Sequence, residues 1–304
     1  MRKSLQLQAE MIEEFGACVF DVTLDCEDGA PVGGEADHAA TVVALVALAA
    51  SKARVAVRVH AVDHPAFESD VSTIAGKVGQ QLSHIMVPKV ESVGDVLKAE
   101  RALMAASAGH LPLHVLIESP AAVQRAFEIA AHPRVQSISF GLMDFVSSHG
   151  GAIPAHGMSS QGQFTHPLVL RAKLAIAAAC HGFAKTPSHC VVTEFNDLQA
   201  VSAAATKASR ELGYTRMWSI HPNQIRPIVA AFAPPAAEIE QAVEIIAAAQ
   251  AAHWAPIRHK SAGRDTLHDR ASYRYFWQVL ERAARTGQAL PAEAQSAWFG
   301  ATGA

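Results

Sequence analysis

Two short apolar runs, Leu113-His-Val-Leu-Ile117 and Val135-Gln-Ser-Ile-Ser-Phe140, lead into the carboxylates Glu118 and Asp144. An alanine-rich stretch of helical periodicity lies between them. The segment 113–145 therefore reads as a β-α-β unit with parallel strands, each ending in one acid. In a parallel α/β structure the carboxyl ends of neighbouring strands lie side by side, so both acids can face one point. Two hard anionic groups with room left for water and substrate are the usual way of holding Mg2+.

Arg58 sits in the apolar run Val55-Ala-Val-Arg-Val59, where an unpaired guanidinium is very unfavourable. It can pair with Asp25 or Glu27, or grip a substrate carboxylate with its planar fork, and the two are compatible. Asp25, Glu27 and Asp28 crowd another strand end. Three carboxylates there repel, so one is protonated or each has a cationic partner. Lys89 follows Pro88 at a strand end and could form a Schiff base, but a metal-bound pair of acids is the preferred way to stabilise an enolate. His60, His114, His149, His156, His166 and His221 match no zinc spacing and read as hydrogen-bonding core or loop residues, with His221 a cap.

The elements that must position these groups alternate regularly. Expected helices cover about 4–15, 37–51, 68–78, 92–106, 167–181, 196–212 and 237–252. Expected strands cover 17–24, 54–60, 84–89, 113–118, 135–145, a weaker one near Cys190 to Thr193, and 216–220. Ser92 is placed to cap the helix that follows it. Residues 146–164 form a long Gly/Ser/His loop of the kind that often carries function. Seven strands are one short of a TIM (β/α)8-type barrel, so the first strand is missing or is replaced by the N-terminal helix. Residues 1–252 are read as the barrel. Residues 253–304 are read as a C-terminal helical extension with a polar turn around Gly263 and an aromatic-rich helix, Tyr273 to Trp277.

Bulk properties narrow the partners. The 304-residue chain is 50% hydrophobic with net charge −3 and no basic block, which argues against nucleic acid or a membrane surface. Four cysteines without a CxxC pair suit reduced thiols, and the N-terminus lacks the apolar core of a signal peptide, so a cytoplasmic location is expected.

Six motifs in order, Asp21-Val-Thr-Leu-Asp25-Cys-Glu27-Asp28, Val57-Arg58-Val-His60, Val87-Pro-Lys-Val-Glu91, Leu116-Ile-Glu118, Phe140-Gly-Leu-Met-Asp144 and Ile220-His-Pro-Asn-Gln224, resemble the HpcH/HpaI aldolase and citrate lyase family, nearest its citrate lyase β-subunit and malyl-CoA lyase branch. The resemblance implies a TIM barrel and Mg2+ (or Mn2+) on Glu118 and Asp144, which also serve the substrate. It implies cleavage or formation of a carbon–carbon bond in a 3-hydroxyacyl thioester, with coenzyme A as part of the substrate. Arg58 then binds the substrate carboxylate, and Glu27 and Asp28 lie beside the metal. Such proteins are homotrimers or homohexamers in which a C-terminal acid reaches the neighbouring site. Here that acid is Asp269, with Asp265 close by; on its own, Asp269 reads as an acid at a helix N-terminus. The chain departs from the family in lacking an opening Arg-Ser and Val-Pro-Gly strand, in having Glu35-Ala-Asp-His-Ala where a Lys and an Arg are usual, and in having Met217-Trp218 where a Gly-Lys pair is usual. The lost basic residues motivate two alternatives: a class II-type aldolase acting on a free 4-hydroxy-2-oxo acid, or a catalytically silent barrel serving as a subunit or ligand sensor.

Overall fold

The computed structural model describes residues 1–30, 32–261 and 264–300. The chain divides into two compact units, Met1–Glu10 with Phe20–Ile228, and Met11–Val19 with Val229–Ala304. Among the described residues no helix is long and apolar enough to cross a membrane.

The first unit is an α/β structure built on a parallel sheet. Its strands are β1 (Val22–Asp25), β2 (Val55–Arg58), β3 (Leu82–Val87), β4 (Leu113–Ile117), β5 (Val135–Phe140), β6 (Thr186–His189) and β7 (Arg216–Met217), paired in sequence order. Every pairing is parallel, so all carboxyl ends lie along one rim. The apolar strands are buried on both faces, as crossover helices require. Ser92 does start the helix Val93–Ala105, with a reciprocal capping box to Asp95. Ser119 caps the next helix by accepting from the Ala122 amide, with Pro120 in its first turn.

Several strand boundaries differ from the sequence reading: the first strand starts at Val22, not Ala17, and the seventh stops at Met217, not Ile220. The sixth strand is Thr186–His189, not Cys190–Thr193. The apolar Cys-Val-Val run drew the reading downstream, whereas Thr186-Pro-Ser-His carries little strand propensity and is held by pairing to β5. The fifth strand stops at Phe140, and Asp144 lies in the first turn of the helix Leu142–Ser147. The loop 146–164 carries two short 3-10 turns, Ala155–Met158 and Gly162–Phe164.

The register sets which side chains point inward. Asp25 lies opposite Arg58, and Arg58 opposite Met86. Two-residue alternation then turns Asp25, Arg58 and Glu118 to one face at the carboxyl rim. That face is unusually polar in its middle, with Ser137, Ser139 and Ser188 fully buried. β1 and β7 are the edges of the sheet, and a side-chain bridge joins them. Arg216 of β7 donates to Asp21, just ahead of β1, at 2.9 Å, while Arg54 binds the same carboxylate at 2.7 Å. The sheet is therefore strongly curled. The N-terminal helix, Arg2–Phe15, stands under its amino end: buried Gln8 donates to the carbonyls of Phe20 at 2.8 Å and Arg54 at 3.0 Å.

The second unit packs the helix Ala236–Ala251 on the helix Arg270–Arg285 through Ile239, Ile245 and Ile246 on one side and Tyr273, Phe276 and Leu280 on the other. It is not purely helical. An antiparallel hairpin of β8 (Ile257–Ser261) and β9 (Arg264–His268) precedes the second helix. Its polar tip hid it from the sequence reading, and the turn expected around Gly263 lies outside the described residues.

Burial pushes the Asp21 carboxyl up, but Arg216 and Arg54 outweigh this and bring it down to about 2. The stabilisation from this ionised acid is fully present above the ordinary carboxylate pKa and is lost as pH falls through about 2. Replacing Asp21→Asn should lower unfolding free energy by about 2 kcal/mol, with the arginines' partial exposure keeping the loss modest. In urea melts, the difference should stay constant from pH 7 to about 4. A gap that already closes between pH 6 and 5 would contradict the assignment.

Candidate active site

The carboxyl rim of the first unit carries an alternating row of charges. Arg58 ends β2 and donates Nε to Asp25 Oδ1 at 2.7 Å and Nη2 to Asp25 Oδ2 at 2.6 Å, a bidentate pair with the strand beside it. Its Nη1 lies 3.1 Å from Glu27 Oε2. Lys89, just past β3, puts its ammonium on Glu27 Oε1 in a short contact, and 3.5 Å from Asp28 Oδ1. The acidic knot is thus resolved by partnering: Asp25 with Arg58, Glu27 between Arg58 and Lys89, Asp28 against Lys89. Burial pushes Asp25 up, but its hydrogen bonds and charge contact with Arg58 hold it below the ordinary range. The amides of Glu27 and Gly29, at 3.0 and 2.9 Å, bind the same carboxylate and fix the turn. Burial lowers Lys89, yet Glu27 and Asp28 more than offset it and keep the ammonium charged well above its usual range. A Schiff-base nucleophile needs the free amine, so this environment opposes that role.

Lys89 also acts through its backbone. It has φ of 52°, a left-handed conformation uncommon outside glycine. That bend aims its amide at Glu118 Oε1, 2.9 Å away. Glu118 follows β4, is buried, and is close enough to Asp144 for their charges to repel. Gly141 closes against it: a Cβ there would fall 2.7 Å from Glu118 Oε2 and 3.0 Å from Glu118 Cβ, so glycine is required by close approach. Burial raises the Glu118 carboxyl, the Lys89 amide offsets only part of that, and Asp144 and Glu27 push it further, to about 8. These two acids repel one another, and the Lys89 ammonium that acts on Asp144 is already shared with Glu27 and Asp28. This is the donor set that suits a hard divalent cation completed by water. Among the described residues no three of His, Cys, Asp and Glu converge as a fuller metal cluster.

Trp218, which the sequence reading named only as a departure from the family pattern, lines the same side. It follows β7 with its ring centroid 5.7 Å from the Arg58 guanidinium carbon, and its Nε1 donates to Ser139 Oγ at 2.9 Å. The signal was available: Trp218 lies two residues after the inward Arg216. His38, on the helix Glu35–Ala47 after the acidic turn, has Nε2 2.7 Å from the Asp25 carbonyl.

The histidines are structural in their contacts. His60 bonds buried Asp70 at 2.6 Å, His114 meets Gln136 at 2.8 Å and stacks on His84, and His149 meets the Phe145 carbonyl at 2.6 Å. His156 meets Ser159, His166 precedes the helix Pro167–Gly182, and His221 accepts from the Asn223 amide at 3.2 Å as a cap. In the second unit Asp269 caps the helix Arg270–Arg285, accepting from the Ala271 amide at 2.9 Å, while Asp265 pairs with Arg258.

Comparison with known proteins follows this geometry. The family model described as HpcH/HpaI aldolase/citrate lyase matches residues 5–222. An L-malyl-CoA/beta-methylmalyl-CoA lyase of Cereibacter sphaeroides is 31% identical over 259 residues, 80% of this chain and 81% of its own. A crystal structure of a citrate lyase from Burkholderia xenovorans LB400 superposes with TM-score 0.82 at 48% identity, covering 97% of this chain and 92% of the other. The CitE protein of Mycobacterium tuberculosis, in complex with magnesium, acetoacetate and coenzyme A, shares the fold with TM-score 0.66 at 20% identity, covering 92% and 95%.

The raised Glu118 carboxyl has a checkable consequence. Its protonated form is favoured in the folded state, so its contribution is fully present below the ordinary glutamate value and is lost as pH rises through about 8. In chelator-treated protein, wild type should lose stability relative to Glu118→Gln across that window. Parallel stability curves for the two proteins would show that Glu118 is not held as described.

Proposed function

This chain belongs to the HpcH/HpaI aldolase/citrate lyase family, and we propose that it is a Mg2+-dependent carbon–carbon lyase that cleaves or forms a 3-hydroxyacyl thioester, giving a 2-oxo acid and an acyl thioester of coenzyme A. The observation that carries this reading is the placement of half-buried Asp144 beside buried Glu118, two acids that repel one another next to a Lys89 ammonium already held by Glu27 and Asp28. The malyl-CoA lyase relative and the magnesium- and coenzyme A-bound CitE structure support the substrate and cofactor class.

Glu118 and Asp144 are the residues that would hold Mg2+, or Mn2+ in its place. The bound cation supplies Lewis acidity toward the oxygen of the oxo-acid half. Arg58 uses the N–H groups left over by Asp25 and Glu27 to bind the acid's carboxylate and to offset charge that develops nearby. Glu27 and Asp28 hold the Lys89 ammonium and the Arg58 fork in place, so neither cation must reorganise when substrate arrives. Asp269 of a neighbouring subunit, or an acid of the 25–28 turn, takes the proton of the 3-hydroxyl in the cleavage direction.

The architectural counterpart is a (β/α)8-type barrel in which the Arg216–Asp21 bridge and the N-terminal helix serve where one strand is missing. Residues 253–304 are the extension that caps a neighbour's site in a homotrimer or homohexamer. The protein works in the cytoplasm on small molecules.

Malyl-, citramalyl- and citryl-thioesters assayed beside free 4-hydroxy-2-oxo acids test the reading. Metal-dependent turnover of a thioester is expected, with Glu118→Gln and Asp144→Asn each losing at least about 100-fold in kcat. Arg58→Lys should raise KM for the acid by about 10-fold or more, because a point charge replaces the fork. Turnover confined to free hydroxy-oxo acids, or surviving both carboxamide variants, would overturn it.

A further inference from the structure

One lysine of the first unit takes no part in the chemistry above and stands where a cation is least expected. Lys173, on the helix Pro167–Gly182, is completely buried. Among the described residues no carboxylate pairs with it. Its ammonium instead donates to Gln163 Oε1 at 2.7 Å and to His189 Nε2 at 2.8 Å, and lies 4.1 Å from the centre of the Phe164 ring. His189 accepts at Nε2 because its Nδ1 faces the Cys190 carbonyl at 3.0 Å and so carries the proton. Burial and the neighbouring Lys173 hold that imidazole neutral. Burial brings Lys173 itself down to about 8, so it still carries its charge at neutral pH. A buried cation without a counter-charge is unfavourable, and an apolar side chain would fill the same space without that penalty.

What the charge holds is the loop 146–164. Gln163 and Phe164 belong to its last turn, Gly162–Phe164. Gln163 is completely buried, and both ends of its amide are used: Oε1 accepts from Lys173 and from Cys190 Sγ at 3.1 Å, and Nε2 donates to the Val191 carbonyl at 3.5 Å. One residue further on, the Val192 carbonyl accepts from buried Gln224 Nε2 at 2.8 Å, and Gln224 Oε1 accepts from the Ile220 amide at 3.0 Å. Two glutamines thus join the segments that follow β5, β6 and β7. The loop is also folded tightly on itself. A Cβ on Gly162 would collide with the His156 carbonyl oxygen, and one on Gly157 would fall 2.7 Å from Cγ2 of buried Ile153. The turn Ala155–Met158 in turn packs on the helix Leu142–Ser147, whose first turn carries Asp144.

We infer that Lys173 is a positioning residue: through Gln163 it fixes the loop 146–164 together with the segments after β6 and β7, and through the loop it fixes the helix turn that presents Asp144. The step that reaches Asp144 rests on the lyase reading above, and the anchoring of the loop does not. An ammonium suits the task because its three N–H groups serve acceptors from both the loop and β6. If the loop lifted away, a bare cation would be left in the interior, so the charge holds the loop down.

Hydrogen exchange on the full-length protein, read by mass spectrometry, tests the anchor, and Mn2+ titration followed by electron paramagnetic resonance tests its reach. Lys173→Met keeps the length of the side chain and removes the charge. Exchange in 148–164 should quicken about 10-fold or more, with faster exchange also in 190–195 and 219–224 and no change in β1 to β3. Mn2+ affinity should fall about 5-fold or more. Gln163→Leu should behave like Lys173→Met, and it serves if Lys173→Met does not fold. Gln163→Glu keeps an acceptor for the ammonium and should stay within about 3-fold of wild type on both measures, whereas a side chain that merely filled space would tolerate leucine better than glutamate. Unchanged exchange in 148–164 in both Lys173→Met and Gln163→Leu, or a quickening spread evenly over the unit, overturns the inference. A loosened loop with unchanged Mn2+ affinity overturns its reach to Asp144. If wild type takes up no Mn2+, the lyase reading fails, and the exchange results still decide the anchor.

Discussion

The site depends on one constraint: five carboxylates from two strand ends and one helix turn must share a rim with the two cations that touch them among the described residues, Arg58 and Lys89. Arg58 and Lys89 meet this by threading between the acids, so that positive and negative groups alternate from β1 across to β4. The row ends where the cations run out, at Glu118 and Asp144. That ending makes the site receptive, because Glu118 is buried, Asp144 is half-buried beside it, and the two acids repel one another. A fully compensated row would be more stable and would offer nothing to a metal. The protein keeps an unfavourable pair where chemistry needs it and anchors the rest tightly.

The backbone serves the same end. Lys89 accepts a left-handed conformation so that one residue can supply an ammonium to Glu27 and an amide to Glu118. Such strain is typical of positions that the surrounding structure overdetermines. Gly141 gives up its side chain so that β5 can press against Glu118. Below them the sheet's inner face is polar, and Trp218 draws on that polarity by bonding to Ser139. The charged rim and the buried serines are thus parts of one arrangement.

Much of this was legible in the sequence because it rests on local pattern. The Val- and Ile-rich runs located six of the strands, and the acids at their ends marked the rim. The paired roles open to Arg58, ion pair and ligand clamp, followed from a guanidinium in an apolar strand. What stayed hidden depends on contacts distant in sequence. Thr186-Pro-Ser-His is a strand because β5 and β7 hold it from both sides. Asp144 reaches Glu118 from a helix turn instead of a strand end, which no alternation rule distinguishes. The bridge from Arg216 to Asp21 spans almost the whole first unit, and nothing near either residue announces it. Gly141 and Trp218 matter through the atoms they approach, and those atoms belong to other strands.

The most direct measurement of the central claim is a crystal structure of the protein with Mn2+, located by anomalous scattering. A single peak should sit within about 2.2 Å of a carboxylate oxygen from both Glu118 and Asp144, with water completing an octahedron. A peak elsewhere, or the two carboxylates turned away from each other around an empty gap, would contradict the account.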